Sequence, residues 1–376
     1  MAYVILTSKK FSKDSDHDIM GPKIHIFAEE TVTNSNSLSS GILEFKNYID
    51  VVNHFIDQGW TDGLPIIPPT QEMVKNFIET SGRSASEIIG SEPTRGRIIT
   101  VEKAAINAVM AGCLPEYFPV ILAACEAMCE PQFNLHGITA STMGAAPLLL
   151  VNGPISEKLK INSGFGLFGP GHRANATIGR AIRLIIINAT GAVPGILDKA
   201  TLGHAGKYSW CISESEKLSE WDPFQVERGF KKTQSTVTLF AGLSPIQIQN
   251  HESNTPQGIA QSFKDAMFTS GSGQEEIIII LPGQHMGHIT KSKWSKEQMQ
   301  QCLYDSSIKE NDIEWDKAYA MRDYVPNPKS PKAVTRSPQG ITIIPAGGEA
   351  GGFAQLIPLW GGGSNSQSVT KEILTN

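Results

Sequence analysis

Glu275-Glu276-Ile277-Ile278-Ile279-Ile280-Leu281-Pro282-Gly283 is the most apolar run in the chain, and the fold class turns on it. Four consecutive β-branched residues between an acidic pair and a Pro-Gly break predict a strand over 276–281, and the run is far too short to cross a bilayer. Outward from it, helices are predicted at 257–267 and 295–306, and strands at 235–241 and 340–345. Strands alternating with helices imply an α/β fold: mainly parallel sheet layers flanked by helices.

The first half carries more helix. Leu43, Phe45, Tyr48, Val51, Val52, Phe55 and Ile56 recur at helical spacing up to Gly59. Trp60-Thr61-Asp62-Gly63-Leu64-Pro65-Ile66-Ile67-Pro68-Pro69-Thr70 follows, an Asp-Gly turn in a path that three prolines hold extended. A short strand at 97–101, helices at 102–112 and 116–129, a buried strand at 148–151 and a long helix at 175–188 come next. Residues 308–338, charged and Pro-rich, read as a surface excursion. The organisation expected is an N-terminal arm (1–41), a helix-rich lobe (42–232), and a smaller lobe (233–376) ending in a glycine-rich loop, with a loop-built cleft between the lobes.

Composition bounds the function. The chain has 376 residues, a net charge of −5, 40% hydrophobic and 18% charged residues, 35 Gly and 22 Pro. A chain of this length buries enough apolar surface to fold without staples. Mild acidity argues against a nucleic-acid partner, which selects a basic stripe. Five cysteines, an odd count with no CxxC spacing, point to reduced thiols and a cytoplasmic protein. The start, MAYVILTSKK, lacks the charged and apolar regions of a secretory signal.

Four loops have a composition unsuited to core or plain surface. Asn134–Pro147 combines His136, a candidate general base, with Ser141 and Thr142 as substrate-binding hydroxyls; equally, His136 could bond a backbone carbonyl in a turn. Asn162–Thr177 is glycine-rich and runs into a helix N-terminus, where free N–H groups with His172, Arg173 and Asn175 suit an anion; otherwise Asn175 simply caps the helix. Asp198–Glu216 groups His204, Lys207, Cys211 and Glu214. A cation beside Cys211 would make it a nucleophile or metal ligand, with Glu214 as acid, base or third ligand, whereas a lone cysteine is ordinarily a small core residue. The tail, Pro345–Phe353 with Trp360–Thr370, places Glu349 and Ser364 on a glycine-rich loop after a strand, where α/β sheets hold ligands. No dinucleotide fingerprint is present, and a transition metal is left open. Cys125 and Cys129, at i and i+4 of one helix, are a weaker metal pair on a helix that otherwise reads as core, and His285 and His288, after the IIII strand, could line the same crevice or simply start the following turn.

TDGLPIIPPT, FNLHGITASTMGAAPLLLVNGP, FGPGHRANATIGRAIRL, TLGHAGKYSWCISESE and the AGGEAGGF…PLWGGGS tail resemble a bacterial family with DGLPxxPPT and GHxGKxxxC segments, related to the UGSC (seleno)protein and thiol-disulfide oxidoreductase group. The resemblance spans about residues 45 to 375. It implies a redox tetrapeptide of selenocysteine, Gly, Ser and Cys, which falls on Gly362-Gly363-Ser364-Asn365; glycine and asparagine stand where the redox pair would be. The residues themselves favour an enzyme on a small polar or anionic metabolite, with lyase- or hydrolase-type acid–base, nucleophilic or metal-assisted chemistry at His136, His204, Lys207, Cys211 and Glu214. A thiol-dependent oxidoreductase with a partner protein, and a non-catalytic binding subunit, are the alternatives. The arm and the apolar tail suggest a homodimer or larger.

Overall fold

A computed structural model of the chain describes residues 2–6, 24–25, 38–271, 273–308, 333–361 and 366–375. Ser364, most of the N-terminal arm and most of the 308–338 excursion lie outside the described residues.

Strands β1 (Ala2–Leu6), β2 (Ile24–His25) and β3 (Gly41–Leu43) form a small sheet in the order β2-β1-β3. Helices α1 (Tyr48–Asp57) and α2 (Gln71–Ser81) flank the Pro-rich segment, and the hairpin β4 (Ile88–Glu92) and β5 (Arg97–Thr100) leads into α3 (Val101–Ala111). Thr100 caps α3 through its side chain, and Gly112, at φ +86°, ends it. Then come α4 (Phe118–Met128), α5 (Leu135–Ala140), β6 (Ala146–Asn152), α6 (Pro154–Lys158), α7 (Arg173–Asn188), β7 (Cys211–Ser213), α8 (Phe224–Glu227) and β8 (Thr236–Gly242). The chain continues as β9 (Ile246–Gln249), α9 (Pro256–Ser262), α10 (Lys264–Thr269), β10 (Ile277–Leu281), α11 (Gly283–Lys291), α12 (Lys296–Ser306), β11 (Ile341–Pro345), β12 (Phe353–Pro358) and β13 (Val369–Glu372). The helix predicted over 257–267 is thus two, broken at Phe263, whose N–H reaches back only three residues to the Ala260 carbonyl.

Two four-stranded sheets organise the molecule, β13-β8-β6-β7 and β11-β10-β12-β9. Successive strand residues point to opposite faces, so each sheet's contacts reveal its layers. Leu149 and Val151 of β6, Cys211 of β7 and Leu239 of β8 join the core formed with α3, α4 and α7. Leu148, Leu150, Ile212 and Phe240 point the other way and pack on Ile278, Ile280, Ile344 and Ile357 of the second sheet. The far face of that sheet, with Ile277, Ile279, Ile343 and Leu356, is covered by α9 to α12. The order is helix, sheet, sheet, helix, each sheet buried on both faces.

The α/β class holds, but mainly parallel sheets do not. The β6–β7 and β10–β11 ladders are parallel; β6–β8, β8–β13, β10–β12 and β12–β9 are antiparallel. Burial on both faces gives a strand the same unbroken apolar run whatever its direction, so the IIII run says nothing about its neighbours. Nor does a line at 232/233 separate the sheets, since β8 and β13 from the second half complete the first one.

Candidate acid–base cavity

β6 and β7 run parallel, and their carboxyl ends, at Asn152 and Ser213, open together. Where the apolar register stops, polar side chains take its place. Glu214, the residue after β7, is 5% exposed and accepts two hydrogen bonds on Oε2, one from Asn152 Nδ2 and one from the Phe224 N–H at 2.8 Å. Burial raises its carboxyl to about 7, against the opposing effects of Lys296 and of the two donors. Lys296, also buried, is ion-paired with Glu227 and stands 5.9 Å from the centres of the Trp221 and Phe224 rings. Glu214 lines a cavity of about 620 Å³ with Ser156, Ser163, Ser213, Ser215 and Trp221 among its walls. Beside it the inner ends of β6 and β8 hold buried polar atoms without a hydrogen-bond partner, Asn152 Oδ1 and Thr236 Oγ1, and α8 adds the Gln225 amide.

The two glycine-rich loops meet next to this cavity. The Gly347 N–H donates to the Ser163 carbonyl at 2.7 Å, and the Ser215 N–H to that of Pro345 at 2.8 Å. The expected anion site at the α7 N-terminus is otherwise occupied. Arg173 donates from Nε and Nη2 to the Gly112 carbonyl, at 3.2 and 2.9 Å, closing the end of α3. Asn175 is buried and ties Asn162 to the Cys211 carbonyl rather than facing a ligand. His172 precedes α7 without a side-chain capping bond. Glu349 is exposed, its backbone against Gly283 at the start of α11.

His204 and Lys207 lie at the other end of the same sheet. Lys207 Nζ is 2.8 Å from Asp198 Oδ2, which Arg183 also reaches at 2.9 Å, and 3.4 Å from the Ala145 carbonyl at the start of β6. Burial lowers the Lys207 pKa, with Asp198 opposing, and it lowers that of His204. His204 Nδ1 accepts from the Gly206 N–H at 3.2 Å, its Nε2 is 3.3 Å from the Gly242 carbonyl, and its ring meets Trp210 edge-on at 5.0 Å. Asn152 lies seven residue steps along the strand from Ala145, about 23 Å at 3.3 Å per step. The expected cluster of His204, Lys207 and Glu214 is therefore divided between opposite sheet edges.

The first loop packs near the His204 edge. The Thr201 N–H donates to the Thr142 carbonyl at 2.9 Å, and Gly144 lies so close to Gly203 that a Cβ on it would come within 2.9 Å of the Gly203 Cα. Ser141 Oγ accepts from Trp360 Nε1 at 2.7 Å. His136 Nδ1 lies 3.7 Å from Glu92 Oε1, a carboxylate already bound by Arg95.

Cys211 does not meet the nucleophile expectation. It is 4% exposed in the helix-facing core, and burial drives its thiol pKa far up. Burial likewise pushes Cys113 and Cys129 to about 12 and raises Cys125 and Cys302. Among the described residues no three His, Cys, Asp or Glu side chains come together as a metal site, so the Cys125/Cys129 pair lacks further ligands. Sequence reasoning missed Asn152, Trp221 and Lys296. Asn152 had a signal, a polar residue ending an apolar strand; Lys296, 82 positions from Glu214, had none.

No family model matches the chain, and no curated protein or solved structure is significantly similar to it.

Proposed function

We propose that the chain is an enzyme acting on a small polar metabolite in the cavity at the carboxyl ends of β6 and β7, with Glu214 as general acid–base. The observation that carries this reading is a buried carboxyl held near pH 7 in the wall of a cavity of about 620 Å³. A group whose pKa matches the working pH gives and takes protons most effectively. The neighbouring serines supply hydroxyls to orient polar atoms, and Trp221 a flat apolar wall. Proton transfer of this kind serves lyase- or hydrolase-type reactions. His204, Lys207 and His136 are left out of the reaction, being at other places in the fold.

Unpaired thiols at all five cysteines fit a reducing compartment such as the cytoplasm. No described helix is long and apolar enough to cross a membrane. For assembly we propose a homodimer or larger, on the exposure of Ile196 and Leu202, 74% and 95%; a monomer in sedimentation velocity removes that part.

The test is a thermal-shift screen of small polar metabolites, followed by turnover assays of each hit with wild type and Glu214→Gln. The variant should still bind the true substrate and lose about 10²- to 10⁴-fold in kcat. Turnover that survives Glu214→Gln within a factor of two would end the proposal.

A further inference from the structure

A second cavity, of about 310 Å³, lies where the two glycine-rich loops touch. It stands at the lower end of the size range of small-molecule sites. Phe165, Phe168 and Phe353 wall it, with Leu167, Ile280 and Ala346 behind them, and no charged side chain lines it. The three rings are 66%, 38% and 43% exposed, an unusual placing for phenyl groups that converge on one hollow.

Each ring is nonetheless held. Phe165 lies on the backbone of Gly348, where an added Cβ would come within 2.2 Å of the ring. Phe168 meets the buried Trp210 edge-on at 6.2 Å, and Phe353 meets His251 at 5.0 Å and 88°. Rings fixed by their own neighbours form a pocket in advance of any ligand.

One polar side chain lines the hollow. Gln355 follows Phe353 on the same face of β12, and its Oε1 is buried without a hydrogen-bond partner. A buried carbonyl-type oxygen left unmatched is costly, and a ligand N–H or O–H would satisfy it. Aromatic walls favour a flat ring stacked or edge-on, and the absence of charged lining favours a neutral one.

We propose that this pocket binds a neutral, flat aromatic ring carrying one N–H or O–H donor, of the indole or phenol kind, with the ring against Phe165, Phe168 and Phe353 and the donor on Gln355 Oε1. The site is distinct from the Glu214 cavity and stands whether or not Glu214 is catalytic.

The experiment is ligand-observed NMR titration of the full chain with indole and with 1-methylindole, which keeps the ring and loses the donor. Indole should bind at least about fivefold more tightly than 1-methylindole, the worth of one hydrogen bond. Gln355→Leu should erase that preference, and Phe165→Ala, at an exposed position that leaves the fold intact, should weaken both probes about tenfold. The proposal is overturned if indole shows no binding up to about 5 mM, if the two probes bind alike, or if the preference survives Gln355→Leu. It is overturned too if wild type self-associates and Phe165→Ala is monomeric, since a second copy then covers the rings.

Discussion

Replacing Glu214 with glutamine should make the protein more stable at alkaline pH and leave it nearly unchanged in acid. The carboxyl is held at about 7, against an ordinary 4.5, chiefly by burial. The folded state therefore keeps a proton that the unfolded chain has already released, and stability falls as pH rises from 4.5 through 7. A gap of about 2.5 pKa units corresponds to about 3 kcal/mol, of which roughly 2–3 kcal/mol is lost between pH 5 and 8. Glutamine imitates the protonated acid: its carbonyl can accept from Asn152 Nδ2 and from the Phe224 N–H, and it has no proton to lose. Urea unfolding of both proteins at pH 5 and pH 8 measures the effect. Wild type should lose roughly 2–3 kcal/mol more than the variant across that interval. Parallel pH dependences would refute both the burial argument and the acid–base role built on it.

Three other perturbations probe the surrounding architecture. Asp198→Asn leaves Arg183 and Lys207 buried beside each other without their shared carboxylate, and should lower the free energy of unfolding by about 3 kcal/mol in urea. Gly153, at φ +83°, sits where a Cβ would lie 2.3 Å from the Gln234 carbonyl; Gly153→Ala should therefore destabilise by at least about 2 kcal/mol, read as a lowered melting temperature. Cys211 should resist iodoacetamide at pH 8 in the native protein and react at once in urea, and rapid native labelling followed by peptide mapping to Cys211 would show that its burial is misread.

The sequence told where regular structure lies and little about how strands pair. The IIII run, the strand at 148–151 and the helix beginning near 175 all stand within a few residues of their predicted places. Direction failed because β8 returns antiparallel to β6 and β13 antiparallel to β8, and nothing in Thr236–Gly242 or Val369–Glu372 encodes a long-range partner. The site was legible by residue but not by grouping. Glu214 was singled out, yet with Cys211 and His204, since nearness in sequence stood in for nearness in space. Its actual partners come from the end of β6, from α8 and from α12.

Strand alternation explains why that grouping could not have worked. Cys211 and Ile212 are neighbours in sequence and face opposite layers, so the thiol joins the helix-side core while the chain turns Glu214 toward the inner layer between the sheets. His204 and Lys207 precede β7 and contact Gly242 and Ala145 at one edge, while Glu214 follows β7 and bonds Asn152 at the other. A parallel pair such as β6 and β7 gathers its carboxyl ends at one edge only, and that edge holds the raised carboxyl, the cavity and the unpartnered Asn152 Oδ1 and Gln225 amide. The opposite edge holds an ion cluster in which Arg183 and Lys207 share the Asp198 carboxylate. Chemistry that needs a proton donor poised near neutrality thus has one edge of this sheet to use.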